Sequence, residues 1–342
     1  MKFFCVFWFF CILLTNAEEL LVYEGDKGPG KGKHIVFLAS DHEYRSEESC
    51  PAIARILAKH HGFKCTVLFG VNDDGTIRPG SSKIPGMSKI AEADMLFVFA
   101  RFLHPSDRDM KYFDDYIRKG GPVMGLRTST HAFNMKGSKF QRYHFRFNED
   151  GYNGGFGRQV LGETWAGHYG RNHKCSTRIM PEDTQKAHPV LTGVGPMHVQ
   201  SGGYVAKPMP NSEILAQAIV LETMNKDSKP LSGKEPQAGI WVRTYKGDEG
   251  QEGRVWASTH GASEDIQDVN FRRCIINGVF WTLGMESKIQ PDMNVSFVGE
   301  YNPITFSFSK YRIGIKPLDI KGWDSPIWSK KAKLGNYGKK RK

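Results

Sequence analysis

Short apolar runs alternate with amphipathic segments through the first third of the chain. His34–Ser40, Lys64–Gly70 and Ala93–Ala100 are apolar runs, each followed by polar residues, and Pro122–Leu126 is a fourth. Nearly continuous apolar runs of this length are typical of parallel strands whose two faces are both covered. The pattern therefore predicts four buried strands.

Two helices are predicted between these strands. Ser46 is placed to cap the first helix, which Gly62 ends, and Ser106 with Asp109 forms a capping box for the second, which ends at Gly120. Strands and helices in strict alternation indicate an α/β fold. We expect a single domain with a flavodoxin-like, doubly wound parallel sheet.

The second half of the chain adds an insertion, more strands and an arm. The segment 140–183 is rich in glycine and aromatic residues and interrupts the alternation, which is typical of binding or lid segments. Three further strands are expected at Ile214–Leu221, Gly239–Tyr245 and Arg254–Thr259. A closing helix is expected at Val269–Leu283. We assign residues 32–286 to the α/β domain and 287–328 to a C-terminal arm.

The two ends of the chain differ in composition from the rest. Met1–Lys2, the apolar block Phe3–Leu14 and the small or polar residues up to Ala17 predict a signal peptide over residues 1–17. Cleavage near Ala17 would give an exported protein, periplasmic or extracellular, and an uncleaved anchor is the alternative. The segment 329–342 is a basic tail that is either solvated or in contact with an anionic surface.

Charge and composition narrow the classes of protein to which the chain could belong. The net charge is +11, but seven positive charges lie beyond Trp328, which leaves about +4 for the rest of the chain and no nucleic-acid signature. An apolar content of 39% with 24% charged residues describes a globular protein. The cysteines beyond the signal segment are widely spaced, so buried free thiols are expected at Cys65 and Cys274.

Polar side chains follow each predicted parallel strand. Ligands bind outside the carboxyl ends of strands in open α/β sheets, so these residues predict a pocket. The candidates at the strand ends are Asp41, His42, Glu43, Arg45, Arg101, Arg127, Ser129, His131 and His260. The insertion adds candidates for the walls, namely Arg158, Glu163, Trp165 and His168.

The residue types leave three kinds of chemistry open. Arg127 at the strand-to-helix turn stays protonated and cannot act as a nucleophile. Nucleophilic catalysis would therefore need Ser129, with His131 or His260 as its base. The alternative role of Ser129 is to cap a helix. The histidines lack ligand spacing such as HxxxH, so a divalent metal is open but not required. Acid/base chemistry would use Glu163, Glu43 or His260 to move a proton, and the two arginines Arg101 and Arg127 to stabilise an oxyanion.

Several motifs together resemble one family. The segments HIVFLASDHEYRSEES, GLRTSTHAF, GGFGRQVLGETWAGHYG and GRVWASTHGASED, with His188–Pro189, resemble ThuA-like (trehalose-utilisation) proteins of the class I glutamine-amidotransferase-like superfamily. The resemblance covers about residues 32–320, and the VGEYNPITFSF arm resembles that of an exported bacterial subgroup. It implies a flavodoxin-like fold and a link to disaccharide catabolism through keto-sugars.

The resemblance also shows where this chain departs from its relatives. The amidotransferase nucleophile is a cysteine at the position that Arg127 occupies here, so glutaminase activity is not expected. ThuA-like proteins commonly carry a histidine at that position, and this chain lacks it too. Any role tied to that histidine therefore does not transfer.

These observations give one leading hypothesis and two alternatives. We expect an exported protein that processes a small-molecule carbohydrate or keto-sugar by isomerase or lyase chemistry, with the catalytic residues Glu163, His260, Arg127 and Arg101. The alternatives are a non-catalytic module that binds a glycan or a protein, and a metal-dependent hydrolase. Nucleic acid is not an expected partner.

Overall fold

A computed structural model describes residues 20–328 and 333–336 of the chain. The predicted signal peptide and most of the predicted basic tail lie outside these residues. The strands are β1 (Leu21–Glu24), β2 (His34–Ser40), β3 (Lys64–Phe69), β4 (Met95–Ala100), β5 (Val123–Leu126), β6 (His168–Tyr169), β7 (Thr177–Pro181), β8 (Met197–Val199), β9 (Gly203–Tyr204), β10 (Ser212–Val220), β11 (Gln237–Lys246), β12 (Glu252–Ser258), β13 (Ser309–Arg312) and β14 (Leu334–Asn336). The α-helices of the described residues are α1 (Ser46–His61), α2 (Asp107–Arg118) and α3 (Val269–Thr282).

The main sheet has ten strands in the order β1-β3-β2-β4-β5-β12-β11-β10-β7-β8. Its parallel part is β3-β2-β4-β5-β12, in which β2 pairs with both β3 and β4. Numbered along the chain, these five strands have the spatial order 2-1-3-4-5, which is the flavodoxin-like order. The fold class predicted from the sequence is therefore correct, and the switch point of the sheet lies between β2 and β4.

The other strands pair antiparallel, which the sequence did not predict. β11, β10, β7 and β8 extend the sheet beyond β12, and β1 closes the opposite edge beside β3. The predicted parallel sheet thus accounts for five of the ten strands, and the antiparallel direction of the other five was not predicted. The reason is that alternation of apolar and polar residues identifies a strand but not the direction of its neighbour.

Apolar side chains cover both faces of the sheet. Ile35 and Phe37 of β2 belong to the core that includes α1 and α3, whereas Val36 and Leu38 belong to the core that includes α2. This alternation is the two-residue period of a strand with helices on both sides. The four cysteines of the described residues are free and buried, as predicted for two of them.

The first helix includes the residue that was predicted to be its N-cap. Ser46 is the first residue of α1, and Arg45 is the N-cap in the left-handed conformation with φ of 64°. The Ser46 hydroxyl oxygen accepts a hydrogen bond from the Asp41 amide at 2.8 Å, so it ties the preceding loop to the helix instead. Gly62 ends the helix as predicted, with φ of 82° and its amide donating to Ala58 O.

The C-terminal arm is held to the domain through backbone carbonyls. The guanidinium of Arg55, fully buried on α1, donates to Ile320 O at 2.8 Å and Ser325 O at 2.7 Å. Arg272 of α3 donates in the same way to Val295 O at 2.6 Å. None of the helices in the described part of the chain has the length and apolar character needed to span a membrane.

Candidate functional site

The loop after β2 is built around a buried aspartate. Asp41 Oδ1 accepts hydrogen bonds from the amides of Glu43, at 2.7 Å, and Tyr44. This local turn, in which a side chain bonds the backbone two and three residues on, fixes where Glu43 and Tyr44 point. Asp41 Oδ2 is buried and has no hydrogen-bond partner among the described residues.

An arginine–glutamate pair joins the ends of two neighbouring strands. Arg101 follows β4 and its guanidinium pairs with Glu43, and both residues are more than nine-tenths buried. The Arg101 guanidinium also lies against the rings of Phe102, at 5.2 Å, and Phe308, at 4.8 Å. Burial raises the pKa of Glu43, and the positive charge of Arg101 opposes that rise.

Arg127 is the tip of the turn after β5. It has φ of 44°, a left-handed conformation that costs a non-glycine residue energy and that nucleophile elbows also use. Its fully buried guanidinium donates to Gly202 O at 2.6 Å and to Thr259 O and Ser201 Oγ at 3.1 Å each. Arg127 therefore joins β5 to the end of β12 and to the segment before β9.

Two tyrosine rings enclose the same guanidinium. Arg127 lies 3.7 Å from the centre of the Tyr44 ring and 4.8 Å from that of Tyr204. Ser201, one of its acceptors, in turn donates to the buried carboxylate of Asp265 at 2.5 Å. The sequence predicted Arg127 as a residue of the strand-end site, but it did not identify Tyr44, Tyr204 or Ser201, which lie far from Arg127 along the chain.

The hydroxyl of Ser129 is directed away from the predicted bases. Its oxygen lies 2.5 Å from Val98 O and 2.6 Å from Leu126 O, where it donates its proton to a backbone carbonyl. The hydroxyl beside His131 Nδ1, at 3.1 Å, is that of Thr130. The geometry thus gives Ser129 a structural role at the end of β5.

Four aromatic side chains form a cluster beside the two arginines. His131 lies 5.4 Å from Trp165 and 5.7 Å from Tyr204, while His168 lies 5.8 Å from Trp165 and 5.5 Å from Tyr204, measured between ring centres. We call His131, Trp165, His168 and Tyr204 the ring cluster. His168 keeps an exposed face and Trp165 is half-buried, whereas His131 and Tyr204 are buried.

Both histidines of the ring cluster are neutral at pH 7. Burial, then Arg101 and Arg127, lower the pKa of His131 well below its usual range. Loss of hydration, with Arg127 and Arg101 nearby, lowers the pKa of His168 to about 4. A neutral imidazole offers one hydrogen-bond donor and one acceptor, which suits a ligand with both hydroxyl and carbonyl groups.

His260 lies below the ring cluster and is completely enclosed. Its Nδ1 is 3.1 Å from Thr259 Oγ1, and its buried Nε2 has no partner among the described residues. Gly203 covers that nitrogen so closely that a Cβ at this position would lie 3.0 Å from it. This placement does not support the predicted role of His260 in moving a proton to or from a ligand.

Glu163 and Arg158 form a structural pair within the insertion. Arg158 Nη1 donates to Glu163 Oε1 at 2.9 Å, and the carboxylate also accepts from the amides of Thr164, at 2.9 Å, and Lys207. Both carboxylate oxygens are therefore occupied by neighbouring groups. The contacts assign Glu163 to holding the insertion together, where the sequence suggested catalysis.

Glu163→Ala is accordingly expected to lower the free energy of unfolding by about 2 kcal/mol, since it leaves the amides of Thr164 and Lys207 without an acceptor and removes one acceptor of the Arg158 guanidinium. Urea unfolding would measure the change, with Glu213→Ala as the control because Glu213 is an exposed glutamate on β10. A variant as stable as the control would contradict the structural role.

The arm supplies residues that the sequence analysis did not place at the site. Phe306 stacks on His173 at 4.4 Å and lies 5.2 Å from Tyr44, and Phe308 lies 5.5 Å from His42. Arg45, predicted to bind ligand, instead donates to Ser307 O and Ser309 O of the arm. The aromatic residues of the TFSF segment were the available signal, but nothing local says where they pack.

No group of three or more histidine, cysteine, aspartate or glutamate side chains converges in a way that could hold a metal ion within residues 20–328 and 333–336. His42 and His168 both contribute to lowering the pKa of His131, which places the two histidines near it. The structure thus brings together Asp41, His42, Glu43, Arg101, Arg127, His131, Trp165 and His168, and gives Arg45, Ser129, Arg158, Glu163 and His260 other partners.

Solved structures give a comparison at low identity. A protein from Bacteroides uniformis, provisionally described as ThuA-like, is 13% identical, with a TM-score of 0.46 over 79% of this chain and 98% of its own. A second, from Parabacteroides merdae and described in the same way, is 15% identical, with a TM-score of 0.47 over 80% and 96%. The chain resembles ThuA-like proteins.

A third similar structure is an exo-β-1,4-mannosidase from an Opitutaceae bacterium, 12% identical, with a TM-score of 0.31 over 73% of this chain and 36% of its own. No family model matches the chain, and no curated protein matches it by sequence. The ThuA-like resemblance therefore concerns the fold and the motifs, and the activity has to be argued from the residues of the site.

Proposed function

We propose that the site at the strand ends binds a carbohydrate or keto-sugar. The observation that carries the proposal is the ring cluster beside Arg101, because sugar rings stack their apolar faces on aromatic side chains while polar groups hold their oxygens. Trp165 and His168 are the members of the cluster that reach the surface. The keto-sugar class comes from the ThuA-like resemblance.

Hydrogen-bond donors at the site suit a ligand rich in oxygen. Arg101 Nε, Arg127 Nε and Trp165 Nε1 are buried and find no acceptor in the described part of the chain. Most buried polar atoms in proteins do have a partner, and these three donors all adjoin the ring cluster. Hydroxyl or carbonyl oxygens of a sugar would supply the acceptors.

The same geometry supports a proton-transfer reaction. A neutral His168 would remove the proton beside the carbonyl of a keto-sugar, and Arg101 would stabilise the enediolate oxygen that forms. Return of the proton to the neighbouring carbon would complete an isomerisation, whereas loss of a leaving group from the enediolate would complete a lyase reaction. This mechanism replaces Glu163 and His260 by His168 as the group that moves the proton.

A non-catalytic sugar-binding module is the second candidate. The low pKa of His168, about 4, makes it a weak base, and the other predicted bases are enclosed or already paired. Exchange of the proton beside the carbonyl, followed by NMR in deuterated water with 3-keto-disaccharides, separates the two functions. An enzyme would catalyse this exchange, and the exchange would be lost in His168→Gln but kept in the control His104→Gln, since His104 is exposed. Binding of the sugar without exchange would indicate a module.

Binding itself has a direct test. Trp165→Ala is expected to weaken the affinity for a disaccharide or its 3-keto derivative about tenfold, because a stacking contact of this kind is worth about 1–1.5 kcal/mol. Titration calorimetry would measure it, with Trp323→Ala as the control, since Trp323 stacks on Tyr23 in the arm interface. Equal affinity in both variants, or no binding to the wild type, would exclude the proposed site.

A further inference from the structure

The arm places the Phe308 side chain beside Arg101 and His42 and leaves it partly exposed. Phe308 is 38% exposed, yet its ring lies 4.8 Å from the Arg101 guanidinium and 5.5 Å from the His42 ring. Phe308 is one of four large apolar side chains exposed in the described residues, and its ring contacts two residues of the site.

The backbone on the N-terminal side of Phe308 is held by two carboxyl groups of the domain. Glu48 Oε2 accepts from the Ile304 amide at 2.8 Å, and Glu264 Oε2 accepts from the Thr305 hydroxyl at 2.9 Å and the Phe306 amide at 3.2 Å. Glu48 is fully buried, so it holds this backbone without competition from water.

A second set of contacts fixes the backbone on either side of Phe308. Arg45 Nη2 donates to Ser307 O at 2.5 Å and to Ser309 O at 3.1 Å, and Arg45 is itself fully buried. Phe306 is anchored between His173 and Tyr44. The position of the Phe308 ring is therefore set by contacts that precede it and follow it in the chain.

The Phe308 ring also determines what Arg101 can reach. The Arg101 guanidinium lies between Phe102 on one strand end and Phe308 on the arm, and its Nη1 is committed to Glu43. Phe102 itself lies 5.0 Å from His131, so a series of contacts runs from Phe308 through the Arg101 guanidinium and Phe102 to the ring cluster. The Phe308 ring therefore covers part of the Arg101 guanidinium.

We propose that Phe308 is a ligand-binding residue of the strand-end site, supplied by the C-terminal arm. It shields Arg101 from solvent and offers an exposed aromatic face to a sugar ring. The arm is then a functional part of the site, and a ligand would be held between the insertion, through Trp165 and His168, and the arm, through Phe308. The sugar class of the ligand rests on the proposed function.

The test compares Phe308→Ala with Phe308→Tyr and with Val269→Ala, an exposed apolar residue at the start of α3. Titration calorimetry with a disaccharide and its 3-keto derivative should show about a tenfold loss of affinity in Phe308→Ala, and wild-type affinity in the other two. Phe308→Ala that binds as tightly as Val269→Ala overturns the proposal. Thermal unfolding checks that all three variants fold, which the exposed positions favour.

A second readout needs no sugar and separates this proposal from the proposed function. Phenylglyoxal modifies arginines, and peptide mass spectrometry gives the modification rate of Arg101. The rate should rise several-fold in Phe308→Ala and stay unchanged in Phe308→Tyr and Val269→Ala. If the wild type binds no sugar, the proposed function fails, and the rate alone decides whether Phe308 shields Arg101; an unchanged rate overturns the proposal.

Discussion

Arg127→Met is expected to lower the free energy of unfolding by about 3–5 kcal/mol, the largest effect of any single replacement at the site. The guanidinium is fully buried and donates to three close acceptors, Gly202 O, Thr259 O and Ser201 Oγ, and to Asn172 Oδ1 at 3.5 Å. Methionine would leave all three without this donor and would remove the cation from between the Tyr44 and Tyr204 rings. Chemical denaturation would measure the loss.

Two further variants make this result interpretable. Arg127→Lys keeps the positive charge but cannot reach three acceptors in one plane, so we expect an intermediate loss of stability. This variant also gives a measurable free energy of unfolding if Arg127→Met does not fold. Arg108→Met on α2 is the control, because the Arg108 side chain is 85% exposed. A loss for Arg127→Met as small as that of Arg108→Met would show that Arg127 does not hold the strand ends together.

Replacing Glu47 by glutamine is expected to change how stability depends on pH. Glu47 is buried, and this burial raises its pKa from 4.5 to about 7, although Arg45 lies 3.3 Å away and opposes the rise. A carboxyl with a raised pKa stabilises the folded state fully below about pH 4.5, and that contribution is lost as the pH rises through about 7. Glutamine cannot ionise, so the stability of Glu47→Gln relative to wild type should increase by about 3 kcal/mol between pH 4.5 and pH 8.

The quantity to measure is the difference in the free energy of unfolding between Glu47→Gln and the wild type. Buried histidines such as His61, whose pKa burial lowers to about 4, act in the opposite direction below pH 6.5, but they are present in both proteins. Urea unfolding at several pH values would give the difference, and Glu249→Gln, at an exposed position, should give a flat line. A flat line for Glu47→Gln as well would show that Glu47 is ionised in the folded protein at low pH.

The parallel part of the fold was predictable because its signals are local. β2 has the predicted bounds, His34–Ser40, since an apolar run between polar turns leaves little choice of register. The antiparallel half was not predictable, because β7 lies at the end of the irregular insertion, β8 follows the insertion, and β7 pairs with β10 farther along the chain. Strand pairing of this kind depends on contacts between distant residues that no local pattern encodes.

The candidate site was predictable in position but not in its contacts. The topological rule brings Asp41, Arg101 and Arg127 to one edge of the sheet because each follows a parallel strand. The rule is silent on side-chain partners, and those of Arg127 lie 74 and 75 residues away along the chain, at Ser201 and Gly202. The same limit explains why Glu163, promising as an isolated carboxylate, turns out to be paired within its own segment.

The carbonyl contacts of Arg55, Arg272 and Arg45 have a consequence for how the chain folds. These arginines are buried against the arm, so separating the arm would leave cations with neither water nor an acceptor until the surrounding core also opened. Partial opening is therefore costly, and the arm and the α/β domain behave as one cooperative unit in spite of the arm's few regular elements. The autonomous folding unit accordingly extends well past α3.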